Sequence, residues 1–403
     1  MLKETVKYDL LSPSFYAAPD ATLHRMRAED PVYWHPELEA WILTRYDDIQ
    51  SVIRDPRFSV DRGGQIGKGG SFQVRKKLDF CNHFFTQQMV FSDPPSHTHL
   101  RTLVAKAFTP HLADLQPAIT RFTDELINAV RGVGQMEVIR DFADPLPSLV
   151  TAQMLGIARE HIPDLKRWSS DMFGLFGAGL ATDEIVEATY ESLVACREYF
   201  EAQIAQRRKN PGNDLICKLI TVEEQGSKLS EQELTGACIT LMAGAYETTT
   251  YLISNGLLAL LRHPDQLQKL RENPTLIDSA VEEFLRYEGP ALSVVRRAIE
   301  DTEIGGRYLI TGQKIYCMLH AGNRDPARFP EPDRLDIGRK DNRHLGLGLG
   351  IHFCLGALLT RLETKIAINT IVQRLPALRL DTDELAWMLN LAMRGLQALP
   401  VAF

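Results

Sequence analysis

Hydrophobic positions recur at helical spacing through the middle of the chain. From Pro95 to about Arg271 the pattern is almost wholly helical, and prolines separate the successive blocks at Pro110, Pro145, Pro163 and Pro211. In the longest block, Ser230 and Glu233 have the spacing of a capping box. The pattern continues to Arg262, which corresponds to roughly 45–50 Å at 1.5 Å per residue. Because apolar residues surround this segment on nearly all sides, we expect it to be a buried central helix.

Strand patterns are short and lie outside this helical region. Apolar residues at 32–34 and 41–44 flank a polar turn and predict an antiparallel pair, followed by a helix that ends before Pro56. A second hairpin is predicted between 303 and 319, and residues 61–92 read as an irregular loop, first glycine-rich and then aromatic. The expected fold is mainly α with small β-sheets. We expect one domain, 1–403, with a small β-containing portion and a large helical portion.

The composition is that of an ordinary globular protein. The 403 residues are 44% hydrophobic and 24% charged, and the formal net charge is −7, which argues against binding to nucleic acid or to an anionic membrane. No apolar run reaches the roughly 18–20 residues of a membrane span, and the first residues lack the apolar core of a secretory signal. The six cysteines are dispersed without a C-x-x-C pair, so we expect a reduced, cytoplasmic protein.

One cysteine lies in an unusual setting. The stretch from His344 to Gly356 alternates glycine with other residues and therefore suits a loop that passes close to something large and flat. Cys354 precedes a helix expected from Ala357 to about Arg374, whose free N–H groups would lower the pKa of the thiol and favour the thiolate. A single thiolate without a partner at zinc spacing is what a haem iron can use as its axial ligand.

The central helix contains a segment that is unfavourable for a helix. Gly244 is followed shortly by three consecutive threonines, which are β-branched and compete for backbone carbonyls. One interpretation is a kink with threonines bonded back to the helix. The other is a local opening that leaves Glu247 and Thr248 free to hold water or relay protons, since a charged residue in an apolar helix needs a reason.

Several charged residues are ambiguous when considered singly. Glu283 and Arg286 are three residues apart and would face one another on a helix, although such pairs are common on surfaces. His97 and Arg101 share a helical face. Each basic group alone is typical of a solvated surface. Together, the basic residues could neutralise two buried carboxylates of a flat cofactor. These residues are His97, Arg101, Arg296 and His344.

Taken together, the motifs resemble the cytochrome P450 superfamily, and most of all its soluble bacterial haem-thiolate monooxygenases. Asp93–His97, the acid–alcohol pair, Glu-x-x-Arg, Asn323–Pro326 and the cysteine loop occur in the family's order. The resemblance implies a long central helix over haem b, with Cys354 ligating the iron in a loop shaped by Gly348, Gly350 and Gly356. It also implies that the four basic residues hold the haem propionates, that Glu247 and Thr248 serve oxygen activation, and that Glu283 and Arg286 brace the fold.

The implied reaction inserts one oxygen atom of O2 into a lipophilic small molecule by hydroxylation or epoxidation. The substrate could be a secondary metabolite such as a macrolide or a terpenoid, and electrons would come from a separate ferredoxin or flavodoxin and its reductase. By the same analogy, the substrate would contact Phe72, Phe84, Phe85, Phe176, Ala245, Leu292, Val295 and Met393.

Two residues depart from the family pattern. Leu347 stands where the cysteine loop usually opens with Phe, and the order Gly244-Ala245 adds a methyl group close to the oxygen site. Two alternatives remain open. A peroxygenase would typically lack the Glu–Thr pair, and a non-catalytic haem or ligand-binding protein would not need it.

Overall fold

The structure is a computed structural model and describes residues 7–62, 69–177 and 181–403. Helices dominate these residues: α1 Pro13–Ala17, α2 Pro19–Glu29, α3 Tyr46–Arg54, α4 Arg75–Thr86, α5 Ser96–His111, α6 Gln116–Arg131, α7 Pro145–Leu155, α8 Ile162–Gly177, α9 Asp183–Lys209, α10 Leu215–Thr221, α11 Glu231–Arg262, α12 Pro264–Glu272, α13 Ile277–Tyr287, α14 Leu319–Asn323 and α15 Ala357–Arg374. The strands are β1 Val32–His35, β2 Ala40–Leu43, β3 Phe58–Ser59, β4 Gln135–Glu137, β5 Val294–Ala298, β6 Thr302–Ile304, β7 Arg307–Leu309, β8 Lys314–Cys317, β9 Arg379–Leu380 and β10 Pro400–Ala402. The expected class, mainly α with small sheets, is confirmed.

The central helix begins where the capping box predicts. The N–H of Glu233 donates to Ser230 Oγ at 3.3 Å, and the N–H of Ser230 donates to Glu233 Oε2 at 2.8 Å, which satisfies two free donors of the first turn. The helix runs 32 residues to Arg262, and α7, α8, α9 and α15 pack around it. Most of its residues are buried, as expected for a helix that is apolar on nearly all sides.

The principal sheet has five strands in the order β1-β2-β8-β5-β3. The predicted pair β1 and β2 is antiparallel, with Trp34 opposite Trp41. The second predicted hairpin is formed only in part, because β6 pairs with β7 whereas β8 joins β2 in the larger sheet. Since side chains alternate along a strand, Val294 and Arg296 of β5 point to one face of the sheet and Val295 to the other. This alternation decides which of them reach the cavity described below.

The aromatic segment is not the irregular loop that the sequence predicts. The chain forms a short 3-10 helix at Phe72–Val74, then α4, then another short 3-10 helix at Met89–Phe91. Leu78, Cys81 and Phe85 are buried along one side of α4, so tertiary packing explains the helix. Gly63, Gly64 and Gly67 of the predicted loop lie outside the described residues.

A buried ion pair ties α13 to the segments that follow it. Arg286 donates to Glu283 from Nε and Nη2, both at 2.8 Å, and to the carbonyls of Asn323, Pro332 and Arg334. Both side chains are fully buried, so this is not a surface pair. Its five hydrogen bonds compensate for removing the guanidinium from water.

None of the helices in the described ranges combines the length and the apolar character needed to cross a lipid bilayer.

Candidate active site

A cavity of about 290 Å³ lies between the central helix and the cysteine loop. The helix contributes Gly244, Ala245 and Thr248, and the loop contributes Cys354. Apolar side chains form much of the wall, and the basic residues around it are Arg101, Arg296 and His352. A concave apolar site with a few converging polar groups is the usual form of a small-molecule or cofactor site.

The glycine loop takes a shape that places the thiol at this cavity. Gly348 and Gly350 have φ angles of +70° and +67°, which residues with a Cβ rarely adopt. Gly346 is required for a different reason, because a Cβ there would lie 2.5 Å from the Leu285 carbonyl oxygen. The N–H of Cys354 donates to the carbonyl of Leu347 at 2.9 Å and closes the turn. Leu347 itself is buried, so an aliphatic side chain fills the place where the family usually has an aromatic one.

The electrostatic environment of Cys354 differs from the expectation. Burial raises the pKa of its thiol, and this effect outweighs the Gly356 N–H and the two cations, Arg101 and Arg361, which lower it. The prediction of a lowered pKa from the helix N-terminus alone was therefore wrong for the protein without metal. A coordinated metal ion reverses this balance, since it deprotonates a ligating thiol outright.

His352 lines the cavity, and the ring of His97 lies against it with the centroids 4.1 Å apart, so the two imidazoles can bind an anion at the cavity edge. Both ring nitrogens of His97 are buried without a hydrogen-bond partner, and so is Nε2 of His352. Arg101 and Arg296 line the same cavity. Buried polar groups are nearly always hydrogen-bonded, so these nitrogens imply partners that the polypeptide itself does not supply.

His344 differs from the other expected members of this set because its ring nitrogens have partners within the protein. Its Nε2 is 3.1 Å from Glu282 Oε2, and its Nδ1 accepts the N–H of Gly346 at 3.1 Å. Both ring nitrogens are therefore occupied within the protein, and the residue does not line the cavity. His352, two residues before Cys354, takes its place. Position in the loop was the only sequence signal for it, and that signal did not distinguish it from His344.

The acid and the alcohol of the central helix point in different directions. Thr248 lines the cavity, and its hydroxyl donates to the Gly244 carbonyl at 2.8 Å. Glu247 is only 7% exposed, is hydrogen-bonded to Ser170 of α8, and is not among the residues lining the cavity. Burial raises the pKa of Glu247 to about 7. The helix is continuous here, so the structure shows back-bonded threonines rather than a local opening.

Most of the residues expected to contact substrate do not form the wall of this cavity. Ala245 lines it, and Val294 does so in place of Val295. Phe85 packs against Phe176 with ring centroids 4.7 Å apart. Phe84 lines a separate groove, and Leu292 and Met393 are buried in the core. Phe72, the first residue of the first 3-10 helix, is 90% exposed and does not line the cavity, so its contact with substrate stays a prediction.

Comparison with known proteins identifies the family. Residues 153–384 match the family model described as Cytochrome P450. The biotin biosynthesis cytochrome P450 of Bacillus subtilis is 38% identical over 402 residues, which are 99% of this chain and 100% of that protein. The chain belongs to the cytochrome P450 family.

Two other proteins are similar to this P450 over nearly its whole length. The 6-deoxyerythronolide B hydroxylase of Saccharopolyspora erythraea is 34% identical over 402 residues, 98% of either chain. The crystal structure of myxobacterial cytochrome P450 CYP267B1 in complex with myristic acid is 41% identical, with a TM-score of 0.88 over 98% of either chain. As a member of this family, the protein is a haem-thiolate monooxygenase that inserts oxygen into lipophilic small molecules.

The residues present fit the haem of a P450. A single cysteine faces an apolar cavity, as an axial thiolate requires. The unpartnered nitrogens of His97 and His352 and the buried guanidinium of Arg296 match two carboxylates on one edge of a flat ring. Gly244 lines the same cavity and has no atom within 4 Å of where its Cβ would stand, so the helix leaves open space there.

Proposed function

We propose that this P450 holds haem b through Cys354 and binds the haem propionates with His97, Arg101, Arg296 and His352. The observation that carries the proposal is the pairing of one cavity-facing thiol with buried imidazoles that have no partner in the protein. Glycines 348, 350 and 356 would hold the loop close to the porphyrin, because two of them adopt positive φ and the third donates its N–H to the sulfur. When bound, the haem would supply activation of O2 for insertion into a C–H or C=C bond.

The polar residues of the central helix would manage protons for that chemistry. The Thr248 hydroxyl lies at the cavity wall and can rotate from the Gly244 carbonyl to donate into the cavity. The Glu247 carboxyl can take up and release a proton near neutral pH, since its pKa is about 7. Leu241 and Val294 add apolar surface to the cavity wall, which would limit the access of bulk water once haem and substrate are bound.

The substrate would be a lipophilic molecule that packs against Ala245, Val294, Met89 and Val90. One relative is named for the hydroxylation of 6-deoxyerythronolide B, and one similar structure was solved in complex with myristic acid. We therefore propose hydroxylation or epoxidation of a secondary metabolite such as a macrolide or terpenoid. Electrons would come from a separate ferredoxin or flavodoxin and its reductase.

Two measurements test this proposal. Protein produced with ample porphyrin supply is expected to show the red-shifted Soret band of a ferrous carbonyl complex, and a colourless folded protein would contradict it. Turnover with a surrogate ferredoxin, its reductase and NAD(P)H is then compared with turnover driven by peroxide, on substrates found by the haem spin-state shift. Greater activity with peroxide would favour a peroxygenase.

A further inference from the structure

Two arginines contact the turn that carries Cys354. Arg101 donates from Nη2 to the carbonyl of Phe353 at 2.6 Å, and it lines the cavity. Arg361, one turn into α15, places Nη1 3.5 Å from the carbonyl of Ala357, whose N–H donates to the Cys354 carbonyl at 3.3 Å. Arg361 is not part of the cavity wall, so its charge acts on the cysteine from outside the haem site.

Glu282 of α13 fixes the position of the Arg361 guanidinium. Arg361 donates to Glu282 from Nε at 2.6 Å and from Nη2 at 2.9 Å, a bidentate geometry that orients both side chains. Burial raises the pKa of Glu282, but hydrogen bonds from Arg361 and His344 outweigh it and bring the pKa to about 2. Glu282 is therefore a carboxylate at neutral pH.

His344 completes this anchor without adding a charge. Its Nδ1 accepts the N–H of Gly346 at 3.1 Å, so the ring proton lies on Nε2, which donates to Glu282 Oε2 at 3.1 Å. A ring that accepts through one nitrogen is neutral. The charges of the network are therefore the positive charge of Arg361 and the negative charge of Glu282.

A fixed charge beside an axial thiolate changes how easily the iron is reduced. Reduction adds one electron to the site, and a nearby cation stabilises the added negative charge. Burial raises the pKa of the Cys354 thiol, and Arg361 opposes that rise, so its charge reaches the sulfur. The side chains of Arg361 and Glu282 are 32% and 30% exposed, so solvent weakens this effect without removing it.

We propose that the Glu282–Arg361 pair sets the reduction potential of the bound haem. Arg361 raises the potential, whereas Glu282 lowers it and holds Arg361 in place. Both are positioning residues, because they act through Cys354 and do not line the cavity. In the step concerned, one electron from the ferredoxin or flavodoxin reduces ferric iron to ferrous iron, and no covalent bond forms or breaks. The inference rests on the proposed haem function and adds to it the residues that decide how readily the electron is accepted.

Spectroelectrochemical titration of the holoprotein tests the pair, because the two charges predict shifts of opposite sign. Arg361→Gln should lower the equilibrium constant for reduction roughly threefold, which is about 28 mV for one electron. Glu282→Gln should raise the potential by a similar amount. Arg361→Lys keeps the charge but loses the bidentate geometry, so it should keep the parent potential while it loses thermal stability.

Lys365→Gln is the matched control. Lys365 lies one turn further along α15, about 6 Å by helical rise, and donates to Asp278 at 2.6 Å. The variant makes the same change of charge on the same helix and should shift the potential less than half as much as Arg361→Gln. A shift of equal size would mean that the overall charge of the protein sets the potential, and it would overturn the inference.

The outcomes separate the two proposals. A normal ferrous carbonyl band with an unchanged potential in both Arg361→Gln and Glu282→Gln would overturn the inference and leave the proposed function standing. Shifts of the same sign in both variants would mean that a loosened cysteine turn is responsible, and they would also overturn it. If Glu282→Gln does not fold, Arg361→Gln and Arg361→Lys decide the question. A folded protein without haem would overturn the proposed function, and this inference with it.

Discussion

The imidazole rings of His97 and His352 lie with their centroids 4.1 Å apart and their planes at 49°. One ring comes from α5 and the other from the turn before Cys354, so the contact joins two distant segments at the edge of the cavity. Burial, together with the neighbouring cations, lowers the pKa of His352 to about 3, and burial also lowers the pKa of His97. Both rings are therefore neutral until an anion such as a carboxylate arrives beside them.

Replacing His352 should weaken haem binding, whereas replacing His344 should not. His352→Ala removes a donor to a buried carboxylate, worth about 1.5–3 kcal/mol, so haem affinity should fall roughly 10- to 100-fold. His344→Ala removes a contact to Glu282 outside the cavity and should lower only thermal stability. Haem transfer to an apoglobin acceptor measures both. Equal haem loss in the two variants would contradict the assignment.

The positions of these two histidines in the fold show what the sequence could not decide. Both belong to one glycine loop, and either spacing is compatible with a residue that faces a cofactor. The choice depends on Glu282, which is 62 residues before His344 and meets it only in the folded protein. Local signals such as the capping box of α11 were sufficient to place helices. They were insufficient for side-chain direction, which is why Val295 was expected at a cavity that Val294 lines.

Cys354→Ser should abolish the red-shifted Soret band of the ferrous carbonyl complex. A serine oxygen cannot donate the electron density that a thiolate gives to iron. Cys217→Ser is the matched control, because Cys217 lies in α10, outside the cavity wall, and its sulfur accepts the N–H of Gly212. That variant should keep the parent spectrum. An unchanged band in Cys354→Ser would mean that the ligand is misassigned.

Thr248→Ala should uncouple electron consumption from substrate oxidation. The cavity-facing hydroxyl is the proposed proton donor, so peroxide released per NAD(P)H consumed should rise at least about threefold. Thr250→Ala serves as the comparison, since Thr250 is buried, bonds back to the Tyr246 carbonyl and is not part of the cavity wall. Peroxide and NAD(P)H assays on both variants give the ratio. Tightly coupled turnover in Thr248→Ala would remove the residue from the proton path.

Glu283→Ala should destabilise the protein far more than the equivalent change on the surface. It leaves the buried guanidinium of Arg286 without its carboxylate, which costs about 3–5 kcal/mol in the free energy of unfolding. Glu331 and Arg334 have the same i, i+3 spacing but are exposed, so Glu331→Ala should cost less than about 1 kcal/mol. Urea denaturation of both variants makes the comparison. Similar losses would mean that the buried pair contributes no more than an exposed one.

Glu247 should make the stability of the protein depend on pH. Its pKa is about 7 in the folded protein, mainly because of burial, and near 4.5 when exposed. The unfolded chain therefore releases the proton at lower pH, so the stabilising contribution is complete below about pH 4.5 and is lost as pH rises through about 7. The loss should approach about 3 kcal/mol in the free energy of unfolding.

Glu247→Gln tests this dependence because its side chain cannot ionise. Between pH 5 and pH 8 the parent should lose up to about 3 kcal/mol of unfolding free energy relative to Glu247→Gln. Glu331→Gln, at an exposed carboxylate, controls for the loss of one negative charge. Parallel pH curves for the parent and Glu247→Gln would show that the carboxyl is solvated in the folded protein and cannot hold a proton at neutral pH.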